Sequence, residues 1–139
     1  MKWEQGRHFD NLTIIVVGHN LIELHYPFVE SFISAIPLGC RFLYGDFSST
    51  DQTFHFVNKL RRYAPVEIIK LPWQSHKGGQ AIGEATQDLI DRSPTPYVWN
   101  LQACEILDID VIEMLKNKER MSGGMWCNFH HIWGTFKFD

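Results

Sequence analysis

The sequence predicts an α/β protein of three layers, a mostly parallel sheet with helices on both faces. Three observations carry that prediction. Short apolar, β-branched runs alternate along the chain with stretches whose apolar residues recur at helical spacing. Gly, Pro or capping residues stand at nearly every change of period. Strand and helix alternate four times, which implies right-handed βαβ crossovers.

The first element is Leu12 to Val17, ended by Gly18. A run with no polar alternation suits a strand buried on both faces, as in a parallel sheet. After the polar pair His19 and Asn20, a helix is expected from about Glu23 to Ala35. Leu24, Phe28, Phe32 and Ala35 form its apolar stripe, and Pro37 and Gly39 stop it. Cys40 to Tyr44 is the second strand, closed by Gly45 and Asp46. Ser48, Ser49, Thr50 and Asp51 offer capping chemistry to a helix carrying Phe54, Val57 and Leu60. Val66 to Leu71 is the third strand, broken by Pro72. Lys77-Gly78-Gly79 opens a helix expected to keep Ile82, Ala85, Leu89 and Ile90 on one side, with Pro94 and Pro96 beyond its end. Tyr97 to Leu101 is the fourth strand. A short helix is expected over Asp108 to Lys116, and an aromatic-rich stretch runs from Met125 to Phe138.

The bulk numbers bound the class. At 139 residues the chain suits one domain, residues 1–139, and no repeat, linker or low-complexity segment divides it. Apolar residues are 45% of the chain, charged residues 21%, and the formal net charge is −3, which is a globular and not a disordered composition. No strongly basic balance points to a nucleic-acid partner. The pair Arg61-Arg62 fits a solvated helix face more readily than a phosphate clamp. Residues Met1 to Asn11 show no secretory signal, and the longest apolar run, Ile14 to Val17, is too short to span a bilayer. Three widely spaced cysteines, Cys40, Cys104 and Cys127, give no disulfide framework, so a reducing, cytoplasmic compartment is expected.

In open α/β sheets ligands bind beyond the carboxyl ends of the strands. That rule selects Gly18-His19-Asn20, then Asp46 with Ser48 to Asp51, then Trp73 to Gly79, then Gln102 to Glu105. The usual Gly-rich dinucleotide and P-loop fingerprints are absent. Gly78 and Gly79 at a helix start can cradle a phosphate through backbone N–H groups, or can be a plain flexible loop. Asp46 can accept hydrogen bonds from a base or ribose, or can be a turn former. Glu105 can hold a hard divalent cation, or can be a solvated loop residue. His130 and His131 can each ligate a metal or sit in an aromatic core. A Cys104–His nucleophile pair is disfavoured, because the neighbouring Glu105 opposes a thiolate.

Together these loops resemble the N-terminal half of family 2 glycosyltransferases, of the A-type glycosyltransferase fold. The carrying residues are Ile14-Ile15-Val16-Val17-Gly18-His19-Asn20, with His19 where tyrosine is usual, and Tyr44 to Thr53, in which Asp46, Ser49, Thr50, Asp51 and Thr53 match and Gly45 replaces the first aspartate. Gly78 to Ala85 is similar to the family's loop and helix under the nucleotide. Leu101-Gln102-Ala103-Cys104-Glu105-Ile106-Leu107 is similar to a strand ending in Asp-x-Asp, with Cys104 in place of the aspartate. His131-Ile132-Trp133-Gly134 resembles a later His-Phe-Trp-Gly segment. The resemblance covers roughly Leu12 to Thr135.

The resemblance implies a Rossmann-like three-layer sandwich of the nucleotide-diphospho-sugar transferase type. It implies His19, Asn20, Asp46, Ser48, Gly78, Gly79 and Gln102 as nucleotide-binding residues. Glu105 and His131 are its implied metal ligands, for a Mg²⁺ or Mn²⁺ that bridges the diphosphate. The implied activity is inverting transfer of a sugar from a nucleotide-diphosphate sugar donor to an unknown acceptor. Thiolate is a poor match for Mg²⁺, so the metal motif rests on Glu105. Family members continue into an acceptor-binding half that carries the catalytic base; no residue here matches that base. Two further readings share the fold: a degenerate nucleotide-binding module, and an oligomerising module, a homo-oligomer, with Trp126 to Phe138 as its interface.

Overall fold

The computed structural model describes residues 11–108 and residue 110. Four strands form one sheet in the order β3-β2-β1-β4, and every pairing is parallel. They are β1 (Leu12–Gly18), β2 (Arg41–Phe47), β3 (Val66–Leu71) and β4 (Tyr97–Asn100). Three α-helices connect them: α1 (Phe28–Ala35), α2 (Thr53–Leu60) and α3 (Gly79–Arg92). Short 3-10 turns at Ile36–Leu38 and Ser75–Lys77 complete the elements.

The continuous apolar run of β1 reflects burial from two sides. Ile14 and Val16 face a cluster with Phe28, Phe32 and Ala35 of α1 and with Val57 and Leu60 of α2. Ile15 faces the other way, onto Leu43 and Leu89. Phe47 packs on that second face with Ala81 and Ala85 of α3. Two helices therefore cover one face and one covers the other, the three-layer arrangement that the alternation predicts. The chain runs outward from β1 through β2 to β3, then α3 carries it back across the opposite face to β4.

The element boundaries depart from the sequence reading in four places. Helix α1 begins at Phe28, not near Glu23. Pro27 disfavours helical backbone at Tyr26 and lacks the N–H that a helix interior needs. The segment before it is a turn closed by His25 at a φ of 57°. Leu24 is accordingly exposed, and Leu21 enters the core instead. Strand β2 continues through Gly45 and Asp46 to Phe47, because β3 pairs with it all the way, Asp46 beside Lys70 and Phe47 beside Leu71. A Cβ on Gly45 would lie 3.0 Å from Leu71 Cδ1 and 3.3 Å from Leu89 Cδ1, so this glycine marks a close approach inside the strand. Helix α3 buries Ala81, Ala85 and Leu89, whereas Ile82 and Ile90 are exposed. Its contact stripe is narrow and built on small residues that let the helix sit close to the sheet. Strand β4 ends at Asn100, although Leu101 N–H still donates to Ile15 C=O at 3.0 Å. Apart from Asp108 and Asp110, the helix expected over Asp108 to Lys116 lies outside the described residues, as does the stretch Met125 to Phe138.

Candidate functional site

A parallel sheet brings all its strand ends of one polarity to one edge. Here Gly18 lies beside Asp46, and Asp46 beside Lys70, so the loops after β1, β2 and β3 leave at the same level. The β4 ladder ends with Asn100 opposite Ile15, midway along β1, and its loop leaves toward the same edge. This carboxyl edge holds every nucleotide-binding candidate from the sequence.

The loop after β1 turns sharply. A Cβ on Gly18 would fall 2.6 Å from Leu21 Cδ1 and 2.8 Å from the Tyr44 hydroxyl, so any larger residue must displace these side chains. Asn20 follows at a φ of 47°, a conformation asparagine tolerates better than most residues. It binds the loop after β2 along its whole polar surface. Its N–H donates to Ser49 Oγ at 3.1 Å, its Oδ1 accepts from Thr50 N–H at 2.7 Å, and its Nδ2 donates to Thr50 Oγ1 and Glu23 Oε2, each at 3.1 Å. Asp51 returns the connection by accepting from Glu23 N–H at 3.1 Å. Asn20 is thus the clasp between two loops.

Asp46 is 3% exposed and faces inward. Its carboxylate accepts the Tyr44 hydroxyl at 3.0 Å, Ser49 N–H at 3.0 Å and Ser49 Oγ at 2.7 Å. Burial, then the adjacent Asp46 charge and its hydrogen bond, hold the Tyr44 phenol far above its ordinary pKa, so it remains a donor. In this arrangement Asp46 sets the shape of the 48–51 loop from beneath. Ser48, at a φ of 48°, donates from Oγ to Leu71 C=O at 2.8 Å and fastens the same loop to β3.

An aromatic platform joins the first three strand ends. His19 Nδ1 donates to the Phe47 carbonyl, which fixes the proton on that nitrogen. The His19 ring stacks on Trp73 at a centroid separation of 3.8 Å and an interplanar angle of 10°. Phe47 meets Trp73 edge-on at 5.8 Å. Trp73 is nevertheless 51% exposed. The sequence placed Trp73 in a rim loop but did not single it out; the available signal was an aromatic residue directly after the strand-breaking Pro72.

Gly78 and Gly79 open α3 beside this platform, since Ala81 in the first turn packs on Phe47. Gly78 has a φ of 52°, and neither glycine would bring an added Cβ within 4 Å of another atom. The backbone there faces open space at the helix start, where Ala81 N–H donates to Gly78 C=O at 3.1 Å. Lys77 does not reach over them: its Nζ bonds Glu84 Oε2 at 2.9 Å, which lowers the Glu84 pKa, and Gln80 Nε2 bonds Glu84 Oε1 at 2.9 Å.

The loop after β4 is tied to α1. Gln102 N–H donates to Glu105 Oε2 at 2.9 Å, and Glu105 N–H donates back to Gln102 C=O at 3.0 Å. Ser31 and Ser34 of α1 hold this loop, through Gln102 C=O at 3.3 Å and Leu107 N–H at 2.9 Å. Cys104 is exposed. Among the described residues no three of His, Cys, Asp and Glu converge on a cation position. Glu105 already spends one oxygen on its own loop, and His131 and His130 lie outside the described residues. The described residues do not by themselves make a Mg²⁺ or Mn²⁺ site.

The described residues form an all-parallel α/β sheet, and its glycosyltransferase-like fold is shown by its similarity to solved structures. The chain is similar to Staphylococcus aureus TarS residues 1–349, with a TM-score of 0.62 and 18% identity over 75% of this chain and 30% of that one. It is similar to the same protein in complex with UDP, at 0.61 and 17% over 75% and 30%. It is also similar to the complex with UDP-GlcNAc, at 0.59 and 18% over 75% and 29%. The chain thus spans less than a third of the TarS structures it matches. No protein-family model matches it, and no curated protein does. Among the described residues no helix is long and apolar enough to cross a membrane.

Proposed function

We propose that this chain binds a nucleotide-diphosphate sugar at the carboxyl edge of its sheet, as the donor-binding part of a glycosyltransferase. The observation that carries the reading is the His19–Trp73 stack beside a loop braced by Asp46, next to the open start of α3. The exposed face of Trp73 offers a flat apolar surface for a nucleobase. The 48–51 loop, shaped by Asn20 and Ser48, is the segment proposed for base and ribose contacts. The N–H groups at Gly78 and Gly79 suit a diphosphate. TarS, whose fold this chain shares, is solved with UDP and with UDP-GlcNAc, which makes uridine donors the first to try. Gln102, two residues beyond β4, is the residue proposed for the remaining side of the rim. Glu105 and His131 are the residues proposed for a Mg²⁺ or Mn²⁺, whose charge would stabilise the leaving diphosphate. A cytoplasmic location fits the free cysteines Cys40 and Cys104, the first with its thiol pushed up to about 12 by burial.

A second reading, a nucleotide-binding module without transfer, is favoured by Cys104 and by the inward use of Glu105. Calorimetric titration with UDP, UDP-GlcNAc and a GDP-sugar, with and without Mn²⁺, separates the two. Metal-strengthened uridine binding supports the enzyme, and metal-independent binding supports the module. The absence of binding to any of them removes both. Trp73→Ala should weaken UDP binding by about 1–3 kcal/mol, roughly five- to 150-fold, the usual worth of a base–aromatic stack. Unchanged affinity in that variant would count against the platform.

A further inference from the structure

The α2 side of the molecule carries a surface that the nucleotide rim does not use. Residues 52–66 hold Lys59, Arg61 and Arg62 and no Asp or Glu. Elsewhere the chain has ten basic residues against sixteen acidic ones, so this segment, bounded by Asp51 and Glu67, is locally positive on a net-negative chain. Helix α2 buries Thr53, Val57 and Leu60. His55 and Lys59 recur at the spacing that lines the opposite, outward face, and Arg62 follows in the turn after the helix, its N–H donating to Lys59 C=O at 3.2 Å. Phe56 and Tyr63 flank that stripe at 41% and 46% exposure, and Lys59 Nζ lies 5.3 Å from the Phe56 ring centroid. Where α2 ends, a cleft of about 290 Å³ opens between Arg41, Arg61, Pro65 and Glu67. Arg41 and Val66 begin β2 and β3, so the cleft lies at the end of the sheet opposite the candidate rim.

We propose that this face docks on a membrane surface rich in anionic phospholipid, with Arg41 and Arg61 receiving a headgroup phosphodiester. Charge complementarity selects the partner, since a net-negative chain can approach an anionic surface only through a local patch such as this one. The exposed rings select a lipid surface over a dissolved polyanion. Phe56 and Tyr63, exposed beside cationic side chains, pair aromatic with basic groups as membrane-interface surfaces do. Glu67 in the cleft opposes a free dianion and is better tolerated beside a singly charged phosphodiester. Docking in this way leaves the carboxyl edge of the sheet free.

The full chain should float with vesicles of one part phosphatidylglycerol to two of phosphatidylcholine, and not with phosphatidylcholine alone. Each surface Lys or Arg contributes roughly a fivefold gain in partition, so the double variant Arg61→Glu and Arg62→Glu should lose more than about tenfold. Phe56→Ser should reduce the fraction that stays bound when salt is raised. Both variants are on the surface and should keep the parent unfolding midpoint, which separates loss of docking from loss of fold. Inorganic phosphate should not displace the protein from vesicles. Equal partition onto neutral vesicles, no partition onto either kind, undiminished partition of the charge-reversed variant, or displacement by inorganic phosphate would each overturn the proposal. Tighter binding to a single-stranded homopolymer RNA than to anionic vesicles would reassign the face to nucleic acid.

Discussion

Two residues at the rim show how much of a candidate site can be internal bracing. The Asp46 carboxylate is filled by Tyr44 and Ser49, and the Asn20 side chain by Thr50 and Glu23. Gly18 completes this framework by yielding room to Leu21 and Tyr44. Gly18→Ala should therefore cost about 1–3 kcal/mol of stability through overpacking, read as a lower urea midpoint. Asp51 carries a pH signature. Partial burial pushes its carboxyl up, but this is outweighed by the Thr53 hydroxyl and N–H and by the Glu23 and Ile22 N–H groups, so its pKa lies below the ordinary 3.8. A depressed carboxyl contributes stability above its unfolded value and loses it as pH falls through the folded one. Unfolding midpoints followed from neutral pH to about pH 2 should fall on the acid side in the parent. In Asp51→Asn they should start lower and fall less; parallel curves would show that the Asp51 contacts are energetically idle.

At the scale of elements, α3 is the clearest case of tertiary packing choosing among apolar residues. Ile82, Ala85, Leu89 and Ile90 look alike in the sequence, yet Leu89 is fully buried between the sheet and the helix while Ile82 is 56% exposed. Leu89→Ala should cost about 2–5 kcal/mol, as a large-to-small change in a closed core does. Ile82→Ala should stay within about 0.5 kcal/mol, as surface changes do. Chemical denaturation of the two variants decides this, and equal costs would place α3 in a different rotation. Helix α1 makes the complementary point. Its start was legible in Pro27, whose effect on the preceding residue outranks the apolar spacing that extends back to Leu24.

The whole molecule is ordered around two central strands. Among the described residues β1 and β2 are each paired on both sides, while β3 and β4 are each paired on one. Exchange protection follows burial and pairing. The amides of Ile14 to Val16 and Phe42 to Tyr44 should therefore exchange slowest, and those of β3 and β4 sooner. Faster exchange in β1 than in β4 would contradict the strand order. The same topology explains why the rim exists. Outward winding through α1 and α2 on one face, followed by return through α3 on the other, leaves the strand ends of one polarity uncovered between the layers.

The sequence by itself determined the alternation of strands and helices, the parallel pairing and the edge at which His19, Asn20, Asp46, Ser48, Gly78 and Glu105 would stand. Those features follow from local periodicity and chain-breaking residues, which are written in neighbouring positions. Only the tertiary structure decided what each side chain does there. Asp46 turns inward because Tyr44 and Ser49 meet it. Trp73 becomes a platform because His19, more than fifty residues earlier in the chain, stacks against it. Glu105 folds back on Gln102 because α1 holds their loop. Contacts between residues distant in the chain depend on how whole elements pack, and no local pattern specifies them.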